Sequence, residues 1–402
     1  MTTHHLASAL LTLCATAVLA APTVPLPDLP GVAQDTVVRS GLAASRQVFT
    51  GTRAGKVAYL GGSITNMGGW KELVDAELTR RFPDTRFEFN HAGIPSIDST
   101  GHAFRFGTDV LAKGVPDLLF VEAAVNDLHN MRTHTERIRG VEGIVRQALA
   151  ANPRMDIVLL HFAEPRHTAD YDAGRTPEII ADHEQVAQHY GLTSINLAHE
   201  VQRRMAAGQF TWADDFKDLH PSPFGHALYA AAIARLFDRV WPGDGKLPEA
   251  RPLPARLDPF CYDQGRFVPI ERAERSGMVI DPAWKPARGG TREGFVGVPM
   301  LVGEKPGDGF KLSFMGRGVG LFIAAGHDTG IVEFKIDGGA WTERDTFTPW
   351  SDGLHLPWAL PLASELADGP HTIELRLTDR HHAKGDGTAL HIRNILVNGH
   401  AD

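Results

Sequence analysis

Apolar and polar positions recur along this chain with two different periods, and the change from one to the other divides it. Residues 57–60 (Val-Ala-Tyr-Leu) form an apolar run ending at Gly61-Gly62, the pattern of a buried strand that stops in a tight turn. From Trp70 the spacing becomes three and four, through Leu73, Val74 and Leu78, which predicts a helix that stops before Pro83. Residues 86–90 alternate around Phe87 and Phe89, and 117–125 are nearly all apolar, as in a parallel strand covered on both faces. Ile138, Val141, Val145 and Leu149 mark a second helix, followed by a buried strand over 155–162. A helix over 177–190 closed by Gly191, a strand over 193–197 and a helix over 224–240 complete the series. Strands alternating with helices predict an α/β fold: a doubly wound, mainly parallel sheet in three layers.

After Trp241 the texture changes. Residues 242–259 hold five prolines and read as a linker, and beyond them the period is two: Phe310, Leu312, Phe314; Val332, Phe334, Ile336; Ile373, Leu375, Leu377. Asp337-Gly338-Gly339 is a turn signal between such segments. This predicts an all-β sandwich, jelly-roll-like, over 260–402. The expected organisation is a leader over 1–20, an N-terminal segment over 21–54, an α/β domain over 55–241, the linker, and the sandwich. Alternation is sparse over 259–309 and dense from 310 onward. A sandwich with one covered face is expected to dock on the α/β domain, with the linker as a strap across the surface.

The leader is a reading of residues 6–21, which are apolar apart from Ser8, Thr12, Cys14 and Thr16, and of Val18-Leu19-Ala20, which resembles a small-residue cleavage site. The run is short for a membrane span, so export to the periplasm or the exterior is expected, without membrane insertion. Beyond the leader only Cys261 remains, which cannot form an intramolecular disulfide. The 40 Lys and Arg against 48 Asp and Glu give a net charge of −8, which argues against a nucleic-acid partner. The 20 histidines include no pair at a recognised ligand spacing, so a metal site is not expected.

In open α/β sheets functional groups gather at the carboxyl ends of the strands. Ser63 follows Gly61-Gly62 after the first strand, and His91-Ala92-Gly93-Ile94-Pro95-Ser96 follows the second. Asn126-Asp127 follows the third, and Asp218-Leu219-His220-Pro221 precedes the last helix. A serine on a glycine turn exposes its hydroxyl, a distant histidine can take its proton, and an asparagine amide can donate to an oxyanion.

These four blocks, in this order over about residues 55–240, resemble the SGNH, or GDSL-like, serine hydrolases. Gly61-Gly62-Ser63-Ile64-Thr65 is similar to the family's "GGSIT" block, and the resemblance makes Ser63 the nucleophile and its N–H an oxyanion donor. The second block implies a backbone donor at Ser96, with Gly93 as the competing position, and the third implies the Asn126 side chain. The last block implies His220 as general base. The family spaces its acid three residues before the histidine, where this chain has Lys217. Asp218 is preferred, Asp215 is the reserve, and a Ser–His dyad is the further alternative.

The resemblance implies ester hydrolysis without a cofactor, on an acylated carbohydrate or small ester, most simply an acetylated polysaccharide. Lipase, thioesterase or O-acetyltransferase activity would use the same groups, and a non-catalytic carbohydrate-binding protein is the alternative from another class. Trp341, Trp350 and Trp358 are expected to pack in the sandwich or against the hydrolase domain, with stacking on sugars as the second possibility. Oligomeric state is not legible in the sequence.

Overall fold

The computed structural model describes residues 26–241, 250 and 252–400; the expected leader and residues 242–249 and 251 of the expected linker lie outside them. The first sheet contains β1 (Thr36–Val37), β2 (Ala54–Gly61), β3 (Arg86–Gly93), β4 (Leu118–Glu122), β5 (Asp156–Leu160) and β6 (Thr193–Ile195). Their order is β1-β6-β5-β4-β2-β3, parallel throughout except for the β1–β6 edge. Alternate residues of each strand face opposite layers. Val57, Tyr59, Leu118, Phe120 and Val158 pack with the helices Ala43–Thr52, Trp70–Arg81 and Pro223–Val240. Ala58, Leu60, Leu119, Val121 and Ile157 pack with the helices Ser99–Asp109 and His134–Ala151. The α/β reading, with three layers, is therefore the observed fold.

Two apolar runs end earlier than their periodicity suggests, each because a side chain caps a helix inside the run. β4 stops at Glu122, whose carboxyl accepts the Val125 N–H at 3.1 Å and so starts the helix Ala124–His129. β6 stops at Ile195 because Asn196 accepts the His199 N–H at 3.1 Å and caps the helix Leu197–Ala206.

The second half is a sandwich of two sheets. Its strands are β7 (Gly265–Val268), β8 (Glu274–Ser276), β9 (Val279–Trp284), β10 (Gly290–Thr291), β11 (Val298–Gly303), β12 (Gly309–Gly316), β13 (Gly318–Ala325), β14 (Gly330–Ile336), β15 (Thr342–Asp345), β16 (Leu354–Ala363), β17 (Gly369–His381) and β18 (Leu390–Asn398). One sheet runs β10-β16-β13-β18-β11-β9, with β7 also on β18; the other runs β15-β14-β17-β12-β8. Phe310, Leu312, Val332, Ile373 and Leu375 fill the space between the sheets with Leu321, Ile323 and Ile395. The stretch with sparse alternation holds β7 to β11, several too short to show a period.

The larger sheet has a second covered face. Trp284, Met300, Phe322, Ala359 and Leu396 share one apolar cluster with Phe104, Val141 and Ile144 of the α/β domain. Tyr262 lies against Phe104 with ring centroids 4.9 Å apart. Polar ties reinforce the contact: Arg132 Nη2 donates to Ala359 O at 2.6 Å, and Arg139 pairs with Glu365 at 2.5 Å. The described end of the linker is a pinned strap, with the Leu257 and Asp258 N–H groups on the Glu142 carboxylate at 2.6 and 3.0 Å. Among the described residues no helix is long and apolar enough to cross a membrane.

Candidate active site

The chain winds outward from β2 to β3, then returns to β4 on the other side of β2, so the carboxyl ends of these three strands border a crevice. β2 delivers Ser63. Gly62 carries it into the helix Ser63–Asn66, whose first N–H has no acceptor within the helix. Neither glycine before it has room for a side chain: a Cβ on Gly61 would overlap Thr65, and one on Gly62 would overlap the Asn126 carboxamide oxygen. The backbone at Gly62 thus lies directly against the Asn126 side chain.

β3 delivers Ser96, three residues past its end. Ser96 has φ +71°, a left-handed conformation that costs a non-glycine residue about 1 kcal/mol. It is held there by Asn130, whose Nδ2 donates to Ser96 O at 3.0 Å. Asn130 in turn donates to Asp98 Oδ2 at 2.7 Å, which also receives Arg132 Nε at 2.7 Å. Beneath Asn126, the carboxylate of fully buried Asp127 accepts from Ser99 N, Ser99 Oγ and His183 Nε2 at 2.9, 2.8 and 2.7 Å. Both segments that carry the candidate oxyanion donors, the loop of Ser96 and the helix of Asn126, are therefore tied to buried carboxylates.

His220 comes from the loop before the helix Pro223–Val240, and its Nε2 lies 2.8 Å from Ser63 Oγ. The loop is anchored by Ser222, whose hydroxyl donates to Asp215 O at 2.5 Å. Lys217 has φ +77° and spans a tight turn in which Asp218 N donates to Phe216 O at 3.1 Å. Among the described residues no hydrogen bond or ion pair joins His220 to a carboxylate. Asp215 Oδ2 accepts the Thr211 N–H at 2.8 Å, and Asp218 is exposed.

One cleft of about 170 Å³ is lined by Ser63, Ser96, Asn126 and His220 together. Gly93 is not among its lining: it pairs with Gly61 across β2–β3 and lies against the backbone of Asn66. The far wall comes from the sandwich domain, through Arg292, Trp350, Leu354 and Leu356. Arg292 Nε lies 3.3 Å from Ser96 Oγ, and the Trp350 ring lies 5.9 Å from that of His129. Of the three tryptophans, Trp350 alone lines this cleft, whereas Trp358 packs under Arg132 and Trp341 under Lys335 and Arg376. Arg292, Leu354 and Leu356 carried no signal in the sequence, because nothing local marks a residue as facing another domain.

Burial sets one further group apart. Glu122 is fully buried at the end of β4, and desolvation pushes its carboxyl up to about 8, so it is mainly protonated at neutral pH.

No curated protein matches this chain. Its structure is similar to that of a two-domain esterase (CEX) active on acetylated mannans, with 22% identity and a TM-score of 0.73, covering 92% of this chain. The match takes in 98% of that protein co-crystallized with mannopentaose, and 99% of it in a second structure. LAE5, an alpha/beta hydrolase enzyme from the metagenome of Lake Arreo, Spain, is similar over 46% of this chain and 96% of its own, at 20% identity and a TM-score of 0.39. Residues 59–228 match the model of the GDSL-like Lipase/Acylhydrolase family, a span that holds Ser63, Ser96, Asn126 and His220. Through residues 59–228 the chain is thus similar to the GDSL-like lipase/acylhydrolase family.

Proposed function

We propose that this protein is an exported serine esterase that removes acetyl groups from carbohydrate. The observation that carries it is the 2.8 Å contact between His220 Nε2 and Ser63 Oγ at the floor of a cleft that also holds Asn126 and Ser96. His220 takes the Ser63 proton as Oγ attacks the acetyl carbonyl. The oxyanion accepts from the N–H groups of Ser63 and Ser96 and from the Asn126 amide; losing one such donor typically costs about 3 kcal/mol of transition-state stabilisation. As the bond from the acetyl carbon to the sugar oxygen breaks, His220 gives its proton to that oxygen and the acetyl group stays on Ser63. Water deprotonated by the same ring then attacks the acetyl-enzyme and releases acetate. Asp218 is the proposed orienting acid, since a side-chain rotation brings a carboxylate two residues away toward the ring, and catalytic contacts often tighten only when substrate binds.

A carbohydrate substrate is supported by the fold shared with an esterase active on acetylated mannans, and by exposed Trp350 at the cleft mouth, a flat face on which a sugar ring can stack. Export is supported by the apolar leader. The test is acetate release from a panel of acetylated polysaccharides by the parent and by Ser63→Ala. Release by the parent and none by Ser63→Ala is expected; release by both overturns the assignment of Ser63, and release by neither overturns the substrate class.

A further inference from the structure

Away from the cleft, the sandwich gathers three histidines and an aspartate at one end of its larger sheet. His327 and Asp328 lie in the turn after β13, His355 on β16 and His391 on β18, so neighbouring strands bring them together. One ligand atom each from His327, Asp328 and His355 lies within 4.8 Å of the others. His355 Nε2 is 2.8 Å from Asp328 Oδ1, and His391 Nε2 is 3.9 Å from Asp328 Oδ2. His355 is fully buried, and its Nδ1 has no hydrogen-bond partner. Imidazole nitrogens converging on one carboxylate, in a position that apolar residues would fill at lower cost, form a donor set rather than a core.

We propose that His327, Asp328 and His355 bind a divalent cation of the Zn2+ class, with the fourth position open to water or His391. Imidazole nitrogen with a single carboxylate suits Zn2+ and its neighbours, whereas Ca2+ and Mg2+ favour all-oxygen sets. The supporting contacts are those of a built site. Asp386 Oδ1 lies 2.8 Å from His327 Nδ1, the outer carboxylate that fixes a ligating imidazole and leaves Nε2 for the metal. The turn is pinned by Asp386 N on His327 O and Ala389 N on Asp328 O, both at 2.9 Å. Trp284 packs on the rings of His355 and His391, and a Cβ on Gly326 would overlap the His355 ring. Arg288 opposes the site: its guanidinium pairs with Asp386 and reaches the His327 ring, with Nε 3.1 Å from Nε2. Its side chain is 61% exposed, so it is free to swing away when a cation enters.

The site lies behind the active-site wall. His355 sits between Leu354 and Leu356, which line the Ser63 cleft, and pairs with Thr291, the residue before Arg292. A bound cation would brace the strand pair that presents these residues.

The test uses the untagged full-length chain, stripped with a chelator, titrated with Zn2+ by calorimetry and assayed for stoichiometry by elemental analysis. One tight equivalent per chain and a raised Tm are expected, in Ser63→Ala as in the parent, so the result stands apart from the esterase reading. Asp328→Asn and His355→Gln should weaken binding by more than about ten-fold, and Arg288→Ala should tighten it. Should His355→Gln fail to fold, Asp328→Asn and Arg288→Ala, at partly exposed positions, decide the matter. Absence of a stoichiometric Zn2+ in the parent, or unchanged affinity in Asp328→Asn, overturns the proposal.

Discussion

Arg292 Nε and Ser96 Oγ lie 3.3 Å apart although 196 residues separate them in the chain. Ser96 is held in a left-handed conformation beside Ser63, so the sandwich domain adds a contact to a loop that the α/β domain holds through Asn130. Removing Arg292 should loosen that loop without touching Ser63 or His220. Arg292→Ala is expected to lower kcat/KM on an acetylated oligosaccharide by about ten-fold, the value of a hydrogen bond from a charged donor. Steady-state kinetics on that substrate check it, and an unchanged kcat/KM would mean that Asn130 suffices.

The contact between Gly62 and Asn126 leads to a second prediction. Because a Cβ at position 62 would overlap the Asn126 carboxamide oxygen, Gly62→Ala must push that side chain from its place. The expected loss is about 100-fold in kcat on an aryl acetate, as for removal of an oxyanion donor, with the fold kept. Full activity in Gly62→Ala would show that the Asn126 amide makes no contribution there.

Asp218 and Asp215 differ in what already engages them. Asp215 accepts a backbone N–H at 2.8 Å and fixes the loop, whereas the exposed Asp218 forms no hydrogen bond through its carboxylate among the described residues. Asp218→Asn is expected to lower kcat by orders of magnitude, as loss of the carboxylate that orients a catalytic histidine does in serine proteases, while Asp215→Asn lowers Tm with a smaller effect on kcat. Small effects of both on kcat would leave a Ser63–His220 dyad as the working arrangement.

Glu122 gives the protein a dependence on alkaline pH. Its carboxyl is raised from 4.5 to about 8, so its contribution to stability is full below about pH 4.5 and is lost as the pH rises toward 8. Gln at this position keeps an acceptor for the Val125 N–H and does not ionise. Urea unfolding of parent and Glu122→Gln at pH 5 and pH 8 should show the parent losing on the order of a few kcal/mol relative to the variant. A pH-independent difference between the two would contradict the shift.

How much of this was legible beforehand follows from the range of each signal. Strand and helix periods report which faces are buried, so the α/β order and the dense strands from Phe310 onward were readable from spacing alone. The blocks that border the cleft were readable too, because in a wound parallel sheet the segments after adjacent strands meet at one edge whatever else the chain does. Ser63 and His220 needed only that rule and the resemblance. The break after Glu122 was hidden because its cap is an acidic side chain at the end of a strand, and an apolar run does not show where the backbone turns.

Tertiary structure alone decided the rest. Periodicity says that a face is covered but not by what, so the shared core of Phe104 with Tyr262 and the cleft wall from Arg292, Leu354 and Leu356 came only from the packed chain. The same limit hid His327, Asp328 and His355, for ligand spacing in sequence detects sites built on one local element. These three come from the ends of neighbouring strands, and long-range strand pairing brought them together.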